Sequence, residues 1–214
     1  MTPPPPTRFR STSSFGEFDV ARMRDALAEA KKAYDSWECP VGCVVVLDDV
    51  GEVVGTGRNA TNATRNATMH AEMVCVGERF EERAKRSGGS GSSFEGHTMY
   101  VTCEPCIMCN AMLRELRFSR VVFGCRNDKF GGGGTVLAAH EREGVSYCGV
   151  EEEEEENERS RRPLECVGGC LAEDAVELLR RFYVRGNPKA PNPHRGAVLR
   201  LKTKETAAQL FPSR

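Results

Sequence analysis

The chain predicts a three-layer α/β/α domain around a central mixed sheet of about five strands. Three observations carry that expectation. Helical and strand patterns alternate in the order helix, hairpin, helix, strand, helix, strand, helix. Hydrophobic residues make up 39% of the 214 positions, enough for one core at single-domain length. No apolar run approaches the ~18–20 residues of a membrane span.

Each element has a local justification. Residues 1–14 are rich in proline, serine and threonine, lack the apolar stretch of a signal peptide, and are expected to be disordered. The globular domain is placed at 15–186. Val20, Met23, Leu27, Ala30 and Ala33–Tyr34 recur at helical spacing and predict a first helix over Asp19–Trp37. Pro40 and Gly42 punctuate, and the runs Cys43–Leu47 and Glu52–Val54 form a hairpin across Asp48–Gly51. Asn59–Met69 reads as a polar loop, and a second helix should run from His70–Ala71 through Arg83. Surface insertions are expected near 87–93, a Gly/Ser run, and at 141–163, which is acidic. Between them lie a strand over Thr98–Thr102, a helix opened by Pro105 at its first position, and a strand over Arg120–Gly124. A glycine loop, Lys129–Gly134, follows, and the amphipathic stretch Ala172–Tyr183 predicts the last helix. Residues 187–214 form a basic tail.

The net charge of −1 conceals a separation: residues 151–158 carry −7, and the stretch 180–214 carries +8. A basic tail on such a body suits a polyanionic partner, with RNA foremost. The ten cysteines read as reduced thiols of an intracellular chain, in cytoplasm or nucleus, because no secretion signal precedes them. Cys39, Cys43, Cys75 and Cys125 sit in or beside apolar runs, where a thiol packs as a small hydrophobe.

The chemistry concentrates in His70-Ala-Glu72 and Pro105-Cys106-Ile-Met-Cys109. His70, Cys106 and Cys109 are candidate ligands for one catalytic zinc ion, and three ligands leave the fourth tetrahedral position for water. Cys106 and Cys109 share a face of the first turn of a helix, whose N-terminus favours thiolates. His70 and Glu72 point about 200° apart in a regular helix, so they converge only if His70 sits at the helix boundary. Glu72 then stays off the metal and shuttles protons from the zinc-activated water to the leaving group. A purely structural zinc clip would recruit Cys103 as fourth ligand and leave Glu72 without a task. The pattern H-x-E…P-C-x-x-C matches the zinc deaminase signature.

At these residues the chain resembles the cytidine-deaminase-like superfamily, and more closely the tRNA-specific adenosine deaminases. The stretches similar to the catalytic subunit of the eukaryotic enzyme are Glu38–Gly42, Gly57–Asn59, Asn66–Met73, Glu104–Cys109, Arg126–Gly132, Ala172–Leu178, Arg181–Tyr183 and Asn187–Pro191. The resemblance implies a cytidine-deaminase-like fold and hydrolysis of adenosine to inosine at position 34 of the tRNA anticodon arm. It implies a heterodimer with a related, catalytically inactive deaminase-like subunit, in which the presence of Glu72 makes this chain the active member. It also implies substrate contacts from Asn59 and from the loop after Pro40, at Val41, and tRNA contacts from Arg195, Arg200, Lys202 and Lys204. Two alternatives stand beside it. A deaminase of free guanine, cytosine or nucleotides would share every zinc ligand, and a non-catalytic zinc- and RNA-binding subunit would lack the acid that Glu72 supplies.

Overall fold

The computed structural model describes residues 8–77, 93–140 and 164–185. Six strands form one sheet: Arg8–Phe9 (β1), Gly42–Leu47 (β2), Glu52–Arg58 (β3), His97–Cys103 (β4), Arg120–Cys125 (β5) and Glu165–Gly168 (β6). Their spatial order is β1-β6-β5-β4-β2-β3. β2 runs antiparallel to β3 and β4, whereas β4, β5, β6 and β1 are mutually parallel, so the sheet is mixed. The described α-helices are Glu17–Asp35 (α1), Thr61–Thr64 (α2), residues 71–77 (α3), Ile107–Glu115 (α4) and Ala172–Arg185 (α5), and a short 3-10 turn, Thr12–Ser14, precedes α1.

Alternation along the strands builds two cores. Cys43, Val45, Met99, Val101, Val121 and Phe123 face one way, against Ala71, Cys75 and Val76 of α3 and Leu113 of α4. Val44, Val46, Tyr100, Val122 and Val167 face the other way, against Met23 and Ala26 of α1. A side-chain period of two places neighbouring strand residues on opposite faces, and a sheet covered on both sides reads as a continuous apolar run. The expected three layers follow. The small face of α1, with Ala26, Ala30 and Ala33 fully buried, lets its backbone approach β2 closely. A Cβ on Gly42 would sit 2.5 Å from the Ala26 carbonyl oxygen, so only glycine fits there. Asp19 ties α1 to the sheet, accepting from Tyr100 Oη at 2.7 Å and Arg120 Nη1 at 3.1 Å.

Three parts of the structure depart from the sequence expectations. The polar loop 59–69 contains the helical turn α2. β6 was not foreseen, because four residues are too short to show a period; buried Cys166 and Val167 hold it on β5. Part of the expected disordered segment is built into the domain: β1 pairs with β6, Arg10 N–H donates to the Gly168 carbonyl at 2.8 Å, and Thr12 Oγ1 donates to the Gly169 carbonyl at 3.0 Å. Local composition cannot register a partner more than 150 residues away. Residues 1–7, the second helix beyond residue 77, the run 87–92, the insertion 141–163 and the tail 187–214 lie outside the described residues. No described helix is long and apolar enough to cross a membrane, and the described cysteines are free thiols.

Candidate active site

Two chain segments meet at one edge of the α3–α4 layer. His70 immediately precedes α3: its carbonyl accepts the first helical bond, from Val74 N–H at 3.0 Å, which makes it the boundary residue. Glu72 lies in the first turn, and the two side chains can therefore converge. The helix of the second segment starts two residues later than the sequence suggests. Cys106, with φ −66° and ψ 169°, caps α4, and Pro105 precedes the cap instead of occupying the first helical position. The reason is the glycine loop. Gly132 N–H donates to the Pro105 carbonyl at 2.8 Å, and Cys106 bridges Gly131, so this stretch stays extended until Ile107.

The structure brings His70, Cys106 and Cys109 together, with their ligand atoms within 4.8 Å of one another. Both sulfurs lie 3.5 Å from the same imidazole atom, Nδ1. In a tetrahedron with Zn–N near 2.0–2.1 Å and Zn–S near 2.3 Å, the N···S edge is about 3.6 Å. The trio therefore fits a tetrahedral ion through Nδ1 and two thiolates, with one corner over. Cys103 does not join it; that thiol packs with Cys125, Ala175 and Leu179 under α5.

Electrostatics agree with a site made for a cation. The Cys109 thiol and the His70 ring, acting against burial, pull the Cys106 thiol down to about 4. Cys106 in turn raises Cys109 and holds the imidazole of His70 above its ordinary value. One thiolate is thus shared among the three side chains, and a divalent cation bound there would supply the charge that ionises both thiols and frees Nδ1. Glu72 is 3% exposed, and burial pushes its carboxyl up to about 7, while its own backbone N–H, His70 and the Cys109 thiol act the other way. It stands beside the trio without belonging to it.

Asn59 and Val41 adjoin this centre through the backbone. Asn59 N–H donates to the Val41 carbonyl at 3.0 Å, and Ala60 N–H donates to the carbonyl of Met69, the residue before His70, also at 3.0 Å. Arg195, Arg200, Lys202 and Lys204 lie outside the described residues. Two organising acids carried no expectation of their own. Glu38, 3% exposed, accepts five hydrogen bonds from residues 59–63. Glu104, 2% exposed, accepts Asn127 N–H and Thr135 N–H at 3.0 Å each and so clips the glycine loop over the start of α4. Each is an acid within two residues of a proline at the edge of a motif, a weak signal that solvated acids share.

A mixed sheet between helical layers, bearing a His/Cys/Cys trio and a buried carboxylate that is no ligand, defines a zinc-deaminase type of site. The family model described as the cytidine and deoxycytidylate deaminase zinc-binding region matches residues 17–125, which contain the whole constellation. The chain is 43% identical over 169 residues to tRNA-specific adenosine deaminase 2 of Xenopus tropicalis, covering 79% of this chain and 91% of that protein. It is 35% identical over 188 residues to the tRNA-specific adenosine deaminase subunit tad2 of Schizosaccharomyces pombe, covering 86% of this chain and 42% of that protein. A solved structure from studies of A-to-I editing by tRNA:A34 deaminases at the wobble position of transfer RNA superposes with a TM-score of 0.54 at 26% identity, over 74% of this chain and 99% of the other. This chain belongs to the cytidine and deoxycytidylate deaminase family.

Proposed function

We propose that this chain is the catalytic subunit of a tRNA adenosine deaminase, converting adenosine to inosine at the wobble position 34 of anticodons with one zinc ion per chain. The observation that carries the reaction type is the tetrahedral fit of His70, Cys106 and Cys109 beside the buried, non-ligating Glu72. The substrate reading is supported by the tRNA-specific names of the relatives and by the +8 charge of residues 180–214. A zinc ion held there lowers the pKa of water toward ~7. Glu72 accepts a proton from the attacking water and delivers it to the purine ring nitrogen; it then takes the remaining proton from the new C6 hydroxyl and hands it to the departing amino group. Water and the C6 amino group are consumed, and the C6 carbonyl and ammonia are formed. Burial of Glu72 favours its protonated form, which suits a group that must give its proton back.

In the same reading Asn59 contacts the target nucleoside and Val41 walls its pocket. Arg195, Arg200, Lys202 and Lys204 grip the anticodon arm through its phosphates, inside the cell, in cytoplasm or nucleus. A related deaminase-like subunit lacking the acid completes a heterodimer; the word "subunit" in the fission-yeast relative's name supports an assembly. The test is deamination of a transcript tRNA bearing adenosine 34, by the chain with and without that subunit, read as guanosine in the cDNA. Inosine at position 34 and no turnover of free bases is the expected result. Turnover of free guanine or cytosine by the chain alone overturns the reading.

A further inference from the structure

We propose that Glu38 is a positioning residue, whose carboxylate sets the direction of the Asn59 amide and holds the pocket wall 59–63 against His70. The proposal rests on the reading of Asn59 as a substrate contact. Burying a carboxylate is costly unless it is densely hydrogen-bonded, and Glu38 is satisfied by a particular set of donors. Its Oε2 accepts Asn59 Nδ2 at 3.2 Å, Thr61 Oγ1 at 3.3 Å, Asn62 N at 3.2 Å and Asn62 Nδ2 at 3.1 Å. Its Oε1 accepts Ala63 N at 2.7 Å. All five donors are neutral and come from one short segment, so the carboxylate organises that segment and does not balance a cation.

The chemistry also fixes a polarity. A carboxylate only accepts hydrogen bonds, so the Asn59 amide must turn its nitrogen toward Glu38. Asn59 Nδ2 donates to Thr61 Oγ1 as well, at 3.1 Å. Both amide hydrogens are thereby directed into the protein, and Oδ1 is the end that Asn59 has to offer a ligand. Ala60 N–H on the Met69 carbonyl, at 3.0 Å, carries this order to the residue before the metal-ligand histidine.

Glu38 is itself held in place from behind. Trp37 adopts a left-handed φ of 65°, which is uncommon for a bulky residue and persists only where its surroundings impose it. Its carbonyl accepts Asn62 Nδ2 at 3.2 Å, and its ring lies 3.9 Å from the Arg185 guanidinium. The same guanidinium stacks 3.6 Å from the Tyr34 ring and donates to the Tyr34 carbonyl. The last residue of α5 thus braces the turn that presents Glu38.

The test is a double-mutant cycle on the full chain in its active complex, with Glu38→Gln, Asn59→Ala and both together. Glu38→Gln should raise KM for the tRNA substrate about 10- to 100-fold, the range for loss of a charged hydrogen-bond acceptor. It should change kcat less and leave zinc content unaltered. Once Asn59 is alanine, adding Glu38→Gln should cost little more. Additive losses, or an unchanged KM, overturn the proposal. A reversed pair keeps the question decidable if Glu38→Gln alone folds poorly. Asn59→Asp sets two carboxylates face to face, and adding Glu38→Gln should recover part of the activity; no recovery counts against the proposal. The Asn59 side-chain NH₂ signal, slowly exchanging in the wild type and fast in Glu38→Gln, reports the contact without any substrate. If the wild type fails to deaminate tRNA while that signal responds, the substrate reading falls and the Glu38–Asn59 linkage stands.

Discussion

Replacing Gly57 by alanine should damage the active site from a strand that carries none of its ligands. Gly57 lies on β3 directly beneath α3, the helix that follows His70 and carries Glu72. An added Cβ would fall 2.6 Å from Cys75 Cβ and 2.8 Å from Cys75 N, and would press on the Ala71 carbonyl oxygen. Carbon atoms rest at roughly 3.5–4.0 Å, so α3 must withdraw by about 1 Å. Overpacking of this kind costs about 1–3 kcal/mol. At this chain length each kcal/mol is worth roughly 2–4 °C, so the midpoint should fall by roughly 2–12 °C. The loss of activity should be larger in proportion, because a misplacement of about 1 Å at reacting groups can cost on the order of 100-fold.

A control lies in the same helix. Among the described residues, a Cβ on Gly77 meets nothing within 4 Å. Gly77→Ala should therefore stabilise by about 0.5–1 kcal/mol through helix propensity and leave catalysis alone. The assay pairs thermal unfolding of the zinc-loaded protein with kcat/KM on a tRNA substrate and with metal content. A Gly57→Ala protein with wild-type midpoint and kcat/KM would refute the claim that close packing of β3 on α3 locates His70 and Glu72.

Two further predictions bear on the chemistry and on the substrate. Glu72→Gln keeps the shape of a buried side chain and removes only its proton carrier, so kcat should fall by at least ~10²–10⁴. Metal analysis should still find about one zinc per chain; loss of metal would make Glu72 a ligand. Truncation after Pro191 should weaken tRNA binding and flatten its salt dependence, by close to one unit of slope for each phosphate that the tail no longer neutralises. Binding with unchanged affinity and slope would leave the +4 carried by residues 192–214 without a role in recognition.

The clustering of His70, Cys106 and Cys109 was legible in the sequence because local geometry fixes it. Two thiols three residues apart meet on one helical face, and a histidine two residues from a glutamate can share a site with it only at a helix boundary. The strands β2, β4 and β5 were legible for a similar reason, since each carries its own run of apolar residues. β1 and β6 were not, because two and four residues become strands only by leaning on a neighbour that supplies the ladder.

Glu38 and Glu104 mark a different limit. Their partners lie 21 to 25 and 23 to 31 residues away, and several of those partners are backbone N–H groups, which every residue but proline carries and no motif encodes. A buried acid of this kind looks, in the sequence, like a solvated one. Its effect is nevertheless directional. Glu104 bonds Asn127 and Thr135, and a Cβ on Gly131 would sit 2.6 Å from its Oε2, so the glycine loop can close over Cys106 only where glycine stands. The glycines of that loop and the acid before Pro105 are therefore one device, and substitution of either should loosen the start of α4 without touching a ligand. In the proposed reaction the trio would supply the chemistry, and the buried acids hold the segments that flank it.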